Sequence, residues 1–195
     1  CIVVVGCSVR GVECGRCGVA RGQRAELFVE ELDLIKRWWT EESVRHHSET
    51  CHLDYVHMNL RPVQRPYPPT WIAANNDRAI ERAAHMSDAW MINPHSTIQT
   101  IRRHMALYRN ALAASGKPDP EELPVIKEVF CAKDRKTALE MAGPYLAGKY
   151  QAYAKWGQDK VMPESETFDQ EFETLITDRF IVGSPEECYE QLRPY

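Results

Sequence analysis

The segment Trp71-Ile72-Ala73-Ala74-Asn75-Asn76 has the residue types and spacing of a phosphate-binding turn. Its apolar residues predict a short strand, its two asparagines predict a tight turn, and a helical pattern begins directly after them. Free backbone N–H groups at the start of a helix that follows a parallel strand attract anions such as phosphate. Arg78 adds a charged donor. The same residues also suit a helix that is capped by Asn76 or Asp77 and binds no ligand.

A second candidate follows the predicted strand Ala89–Ile92, in the turn Asn93-Pro94-His95-Ser96. The imidazole of His95 can bind a substrate or a phosphate, or transfer a proton near neutral pH. The alternative is that His95 is a polar turn residue whose side chain only fixes the loop. The sequence leaves both interpretations open.

Cysteine and histidine residues near the start of the chain have some features of a zinc site. Cys14 and Cys17 have the C-x-x-C spacing of zinc ligands. The second half of such a site lacks regular spacing, and a predicted helix separates the two halves. A zinc-binding protein therefore ranks last among our hypotheses, and we expect no bound metal. The residues of the irregular second half are His46, His47, Cys51 and His52.

These residues are positioned by alternating predicted strands and helices. Such alternation is typical of βαβ units and a parallel sheet. A closed (β/α)₈ barrel needs eight strands and typically about 250 residues, so we expect about half of a barrel or a small open sheet. A glycine-rich loop is predicted at 9–22, a weak strand at 55–60, and a break or kink at Gly143-Pro144. Principal strands are predicted at 1–7, 71–74, 89–92 and 125–132, and helix starts at Gln23, Asp77, Ser96, Asp134 and Ser184.

Composition excludes several classes of protein. The net charge of −4 gives no basic footprint for nucleic acid, and no apolar run approaches the roughly 20 residues of a membrane-spanning helix. The seven cysteines are an odd number in a chain larger than small disulfide-rich scaffolds. We therefore expect free thiols and a cytoplasmic protein. The chain begins with Cys1, which we interpret as a fragment or a processed start.

Three segments together resemble the luciferase-like flavin-dependent monooxygenases, a TIM-barrel family that includes bacterial luciferase and deazaflavin-dependent relatives. They are R-P-V-Q-R-P-Y-P-P-T-W-I-A-A-N-N at residues 61–76, A-A-H-M-S-D-A-W-M-I-N-P-H at 83–95 and F-I-V-G-S-P-E-E-C at 180–188. The resemblance implies an α/β fold of parallel (β/α) units, a partial TIM barrel with about strands four to seven. It also implies one partial luciferase-like domain over residues 1–195.

The resemblance implies an oxidoreductase that uses reduced FMN and O₂ to oxygenate a small organic substrate. A deazaflavin coenzyme that transfers hydride is the alternative cofactor. A flavin reductase and a second copy of the chain are the implied partners. A different class of function stays open, in which a truncated, non-catalytic half-barrel module acts through self-association or partner binding.

The resemblance also implies roles for individual residues. Family members hold the flavin side chain at the turn after the second core strand, and small residues there let a flat ring approach. Gly6 can lie against the ring or serve only a turn, and Glu13 can be a polar contact or a solvated loop residue. No residue is singled out as catalytic. The predicted cofactor contacts are Gly6, Ser8, Ala73, Ala74, Asn75, Asn76 and Arg78, and the predicted substrate contacts are Glu13 and His95.

Overall fold

Short apolar runs form strands and longer amphipathic runs form helices in the computed structural model, which describes residues 1–7, 10–162 and 166–195. The chain divides into two compact units, residues 1–70 and residues 71–195. One partial barrel domain over residues 1–195 stays a prediction. The first unit contains β1 (Val3–Val5), α1 (Gly11–Arg16), α2 (Arg24–Thr40), β2 (Val44–His47) and β3 (His52–Val56).

The first unit departs from the sequence-based prediction in two places. The prediction of a loop at 9–22 is wrong because α1 forms there, with Arg10 paired to Glu13 at 3.3 Å across the helix start. β2 and β3 form an antiparallel hairpin in which His47 lies opposite His52. The turn of this hairpin is closed by the Ser48 N–H, which donates to the Cys51 carbonyl at 2.9 Å. The weak strand predicted at 55–60 is therefore wrong in its position, since β3 ends at Val56.

The second unit has the alternating order of strands and helices that the sequence predicts. β4 pairs in parallel with β5, and β6 pairs in parallel with β7. α3 and α4 pack against each other, and a parallel bridge joins Ile92 to Val125. The elements are β4 (Thr70–Ala74), α3 (Asp77–Met86), β5 (Ala89–Ile92), α4 (Ile98–Ala114), β6 (Val129–Cys131), α5 (Arg135–Lys155), a 3₁₀ turn (Asp159–Val161), α6 (Phe172–Ile176), β7 (Ile181–Gly183) and α7 (Pro185–Leu192).

Helix ends in the second unit test the predicted caps. Asp134 caps α5 and Ser184 forms a full capping box at α7, as predicted. The predicted cap Ser96 is wrong by one residue, because the Thr97 side chain accepts from the Thr100 N–H instead. α5 runs through Pro144 as one helix without a break. In the described part of the chain, no helix is long and apolar enough to cross a membrane.

Candidate functional site

The turn after β4 is fixed by two side chains from the neighbouring strand and its following loop. The Ala74 carbonyl accepts from Trp90 Nε1 at 2.9 Å and from Asn93 Nδ2 at 3.5 Å. Trp90 is almost fully buried and packs against the rings of Tyr108 and His104. The end of β4 therefore has a set position before α3 begins.

Asn76 caps α3 and uses one of the amides at the helix start. Its Oδ1 accepts from the Ala79 N–H at 3.1 Å. The capping role predicted for Asn76 is thus confirmed. Within the described residues, the N–H groups of Asp77 and Arg78 have no acceptor, and the side chains of Asn75 and Arg78 have no partner. Two amides, an amide side chain and a guanidinium remain free for an anion.

Asp77 lies at this helix start, where its carboxylate would repel a phosphate. Arg103 on α4 neutralises it through two hydrogen bonds, from Nη1 at 3.0 Å and Nη2 at 2.7 Å. This pairing holds the pKa of Asp77 below its usual value. His104 beside it is buried, and burial lowers the pKa of its ring. His104 Nε2 lies 2.7 Å from Arg103 Nη2 and 3.4 Å from Asp77 Oδ1, and a neutral ring can accept the hydrogen bond from the arginine.

Asn93 links this turn to His95. Its Nδ2 donates to the Ala74 carbonyl, and its Oδ1 accepts from the His95 N–H at 3.2 Å. The structure therefore brings the predicted cofactor turn and the predicted substrate residue together at the carboxyl ends of β4 and β5. Ligands in parallel α/β sheets bind at such ends.

The ring of His95 is buried, with 5% of its surface exposed. Ring centroids of Tyr153, Phe168 and Tyr150 lie 5.0, 5.7 and 5.9 Å from its own. Burial lowers the pKa of His95 to about 4, with smaller contributions from nearby cations. The Gln158 side-chain nitrogen contacts Nε2. A neutral ring that accepts from this nitrogen carries its proton on Nδ1, which has no partner among the described residues.

A buried ion pair that sequence analysis missed supports this loop. Arg179, 1% exposed, donates from Nε to the His95 carbonyl at 2.7 Å. Its Nη2 lies 3.9 Å from Glu166 Oε2. The Glu166 carboxylate in turn accepts from the Thr97 N–H at 3.2 Å and from the hydroxyls of Thr97 and Thr100. No local pattern signals the pairing, although two threonines three residues apart at a helix start suit a carboxylate.

In the first unit, Gly6 and Glu13 line one cavity of about 210 Å³ together with Cys14, Leu27 and Phe28. Glu13 is exposed and paired with Arg10, and Gly6 follows the end of β1. Ser8 lies outside the described residues. No group of three or more His, Cys, Asp or Glu side chains suited to a metal occurs in residues 1–7, 10–162 and 166–195.

Comparisons with known proteins agree with this architecture. A family model described as luciferase-like monooxygenase matches residues 1–195. Protein y4wF of Sinorhizobium fredii, named as uncharacterized, is 23% identical over 148 residues, which cover 74% of this chain and 40% of that protein.

Solved structures with the same fold cover nearly all of this chain. Monooxygenase RslO1 from Streptomyces bottropensis has a TM-score of 0.75 at 22% identity and matches 98% of this chain and 56% of its own. The oxygenating constituent of 3,6-diketocamphane monooxygenase from Pseudomonas putida, in complex with FMN, has a TM-score of 0.76 at 18% identity, with 98% and 59% covered. An F420-dependent secondary alcohol dehydrogenase matches with the same TM-score and coverage at 14% identity. The likeness confirms the predicted fold class, and this chain spans less than two thirds of those proteins.

Proposed function

This chain belongs to the luciferase-like monooxygenase family, and we propose that it is part of a flavin-dependent oxidoreductase whose turn after β4 holds the cofactor phosphate. The observation that carries the proposal is the set of free donors at the start of α3. The N–H groups of Asp77 and Arg78, the Asn75 amide and the Arg78 guanidinium have no partners in the described chain. These donors suit a phosphate, because helix N-termini and charged donors both favour anions.

The residues in and around the turn have separate roles in this proposal. Asn76 caps α3 through Ala79 only, which leaves the first two amides of the helix for the phosphate. Arg103 holds the Asp77 carboxylate in a paired state, which removes a repulsive charge. Ala73 and Ala74 have small side chains, so a flat ring can approach the end of β4. FMN is the proposed cofactor and a deazaflavin is the alternative. Of the structures with the same fold, one is a complex with FMN and another is an F420-dependent enzyme.

A bound reduced flavin would supply the electrons for placing one oxygen atom of O₂ into a small organic substrate. The protein positions that substrate and excludes water. His95 is neutral near pH 7 because of its lowered pKa, and its Nδ1 is a buried donor without a partner in the described chain. We assign to it a hydrogen bond to a polar substrate atom, since buried polar groups are normally satisfied. In the first unit, Gly6 is the proposed cofactor contact and Glu13 the proposed substrate contact, supported by the cavity they share.

Comparison of FMN with riboflavin, which lacks the phosphate, tests the turn. For Arg78→Gln we expect the Kd of FMN to rise about tenfold, because a lost charge-assisted hydrogen bond costs about 1.5 kcal/mol or more. The Kd of riboflavin should not change. Arg82→Gln, one turn further along α3, is the matched control. Equal weakening of both ligands, or wild-type protein that binds neither FMN nor a deazaflavin, would contradict the proposal.

A second candidate function is a non-catalytic module that associates with itself, because β6 and α5 expose apolar side chains. Val129, Met141 and Tyr145 line an open cavity of about 400 Å³. Exposed apolar patches favour association. Analytical ultracentrifugation of wild type and Tyr145→Lys tests this candidate. A stable dimer that the substitution disrupts, without flavin binding, would favour it over the enzyme.

A further inference from the structure

Two cysteines meet where β6, β7 and α7 come together in the second unit. Cys131 is the last residue of β6 and is exposed, and Gly183 is its partner in the parallel register with β7. Cys188 lies on α7 and is buried. Its Sγ is 3.7 Å from the Gly183 carbonyl oxygen and 3.8 Å from that of Phe130. The Cys188 thiol therefore lies over the strand pair, beside the end of β6.

The start of α7 holds Cys188 in this position. Ser184 and Glu187 form a capping box, with the Ser184 N–H donating to Glu187 Oε2 at 2.8 Å and the Glu187 N–H donating to Ser184 Oγ at 3.2 Å. Across the strands, the Ala132 N–H donates to the Gly183 carbonyl at 3.0 Å. Both cysteines are thus attached to elements whose positions are set by hydrogen bonds, through the capping box at α7 and between the backbones of the strand pair.

The chemical environments of the two thiols differ. Burial raises the pKa of the Cys188 thiol, and the neighbouring Cys131 side chain raises it further. A buried thiol of this kind reacts poorly with reagents from solution, whereas an exposed thiol is accessible to them. Cys188 can nevertheless attack a neighbouring sulfur, because an intramolecular reaction does not require access from solvent.

We propose that Cys131 and Cys188 are a redox-modification site that closes to an intramolecular disulfide on reaction with a small disulfide such as oxidised glutathione. The Cys131 thiolate attacks one sulfur of oxidised glutathione, forms a mixed disulfide and releases one glutathione thiolate, which takes up the proton that Cys131 lost. Cys188 then gives up its proton and attacks the Cys131 sulfur, and the second glutathione leaves as a thiol. Two protein thiols are oxidised and one glutathione disulfide is reduced to two thiols.

The link would join α7 to β6 at the carboxyl end of the strand, the end at which α/β sheets bind ligands. It would close a long loop that includes α5 and α6, and cross-links of long loops stabilise the folded state. We therefore expect the oxidised chain to unfold at a higher temperature than the reduced chain. This inference is independent of the proposed flavin chemistry.

The test is to incubate the folded chain with oxidised glutathione, block the remaining thiols with N-ethylmaleimide and map the peptides by mass spectrometry. In the wild type we expect a linked peptide that joins Cys131 to Cys188, with neither glutathione nor N-ethylmaleimide on these two residues, whereas the exposed thiols of Cys1 and Cys17 can each retain a glutathione. In Cys188→Ser, Cys131 should retain one glutathione, because the second step has no nucleophile. In Cys131→Ser, Cys188 should stay unmodified.

Cys51→Ser, at a half-buried thiol of the first unit, is the matched control and should form the same link as the wild type. Circular dichroism before oxidation confirms that each variant is folded. Retention of glutathione on Cys131 in the wild type would overturn the proposal. Alkylation of both Cys131 and Cys188 after oxidation, or a link from Cys131 to a different cysteine, would also overturn it.

Discussion

Replacement of His95 by glutamine is expected to reduce the loss of stability that acid causes. The pKa of His95 falls from 6.5 to about 4 in the folded chain, mainly through burial and then through the charges of Lys149, Arg179 and Lys127. The unfolded chain binds a proton on this ring near pH 6.5, whereas the folded chain resists it until about pH 4. The free energy of unfolding therefore decreases as the pH falls through this window, and the loss is complete below it.

The size of this effect follows from the shift itself. A difference of about 2.5 pKa units, at about 1.36 kcal/mol each, corresponds to roughly 3 kcal/mol. We expect urea unfolding at pH 7 and pH 4 to show a decrease in the free energy of unfolding that is about that much larger in the wild type than in His95→Gln. Comparison of the two decreases cancels the carboxylates that both proteins share.

His85→Gln is the matched control, since His85 is an exposed histidine of the same unit. It should leave the wild-type pH dependence in place. Equal acid-induced losses in wild type and His95→Gln would refute the reasoning, because the His95 ring would then not be buried and neutral.

Two ion pairs and one helix cap can be tested by substitution. Glu166→Gln removes the charge opposite buried Arg179 and should lower the free energy of unfolding, measured by guanidinium denaturation, by roughly 3 kcal/mol. A loss below about 1 kcal/mol would contradict the buried ion pair. Ser184→Ala should cost about 1 kcal/mol in urea unfolding through loss of the cap of α7, and an unchanged midpoint would argue against the capping box. Arg103→Gln leaves the Asp77 carboxylate unpaired and should raise the Kd of FMN several-fold, whereas the Kd of riboflavin should not change. Adding Asp77→Asn to the same chain should restore FMN binding. If the double variant binds FMN no better, the pairing of Arg103 with Asp77 is only structural.

The sequence predicts the turn after β4 well because its determinants are local. An apolar run pairs as a strand, and Asn76 caps the helix that follows, since both depend on residues within a few positions of each other. The capping box of α7 is predictable for the same reason. Such elements depend on short-range hydrogen bonds, and those are encoded in residue spacing.

Other features depend on partners far along the chain and could not be predicted. Glu166 reaches the start of α4 from 66 to 69 residues later in the chain, and Arg179 reaches His95 from 84 residues away. Pro144 removes one helical hydrogen bond, yet α5 continues because Ala138, Ala142 and Tyr150 are buried by tertiary packing. Helix propensity is a weak determinant when packing of this kind competes with it.

The candidate cofactor site combines both kinds of determinant. Any residue supplies a backbone N–H, so amides at a helix start do not by themselves make an anion site. The turn after β4 becomes suited to phosphate because Asn76 occupies only the third amide of α3 and Arg103 pairs the Asp77 carboxylate at the helix start. The first condition is local, and the second comes from α4, 26 residues later. The arginine that keeps the helix start attractive to an anion is therefore as much a part of the proposed site as the amides that would contact the anion.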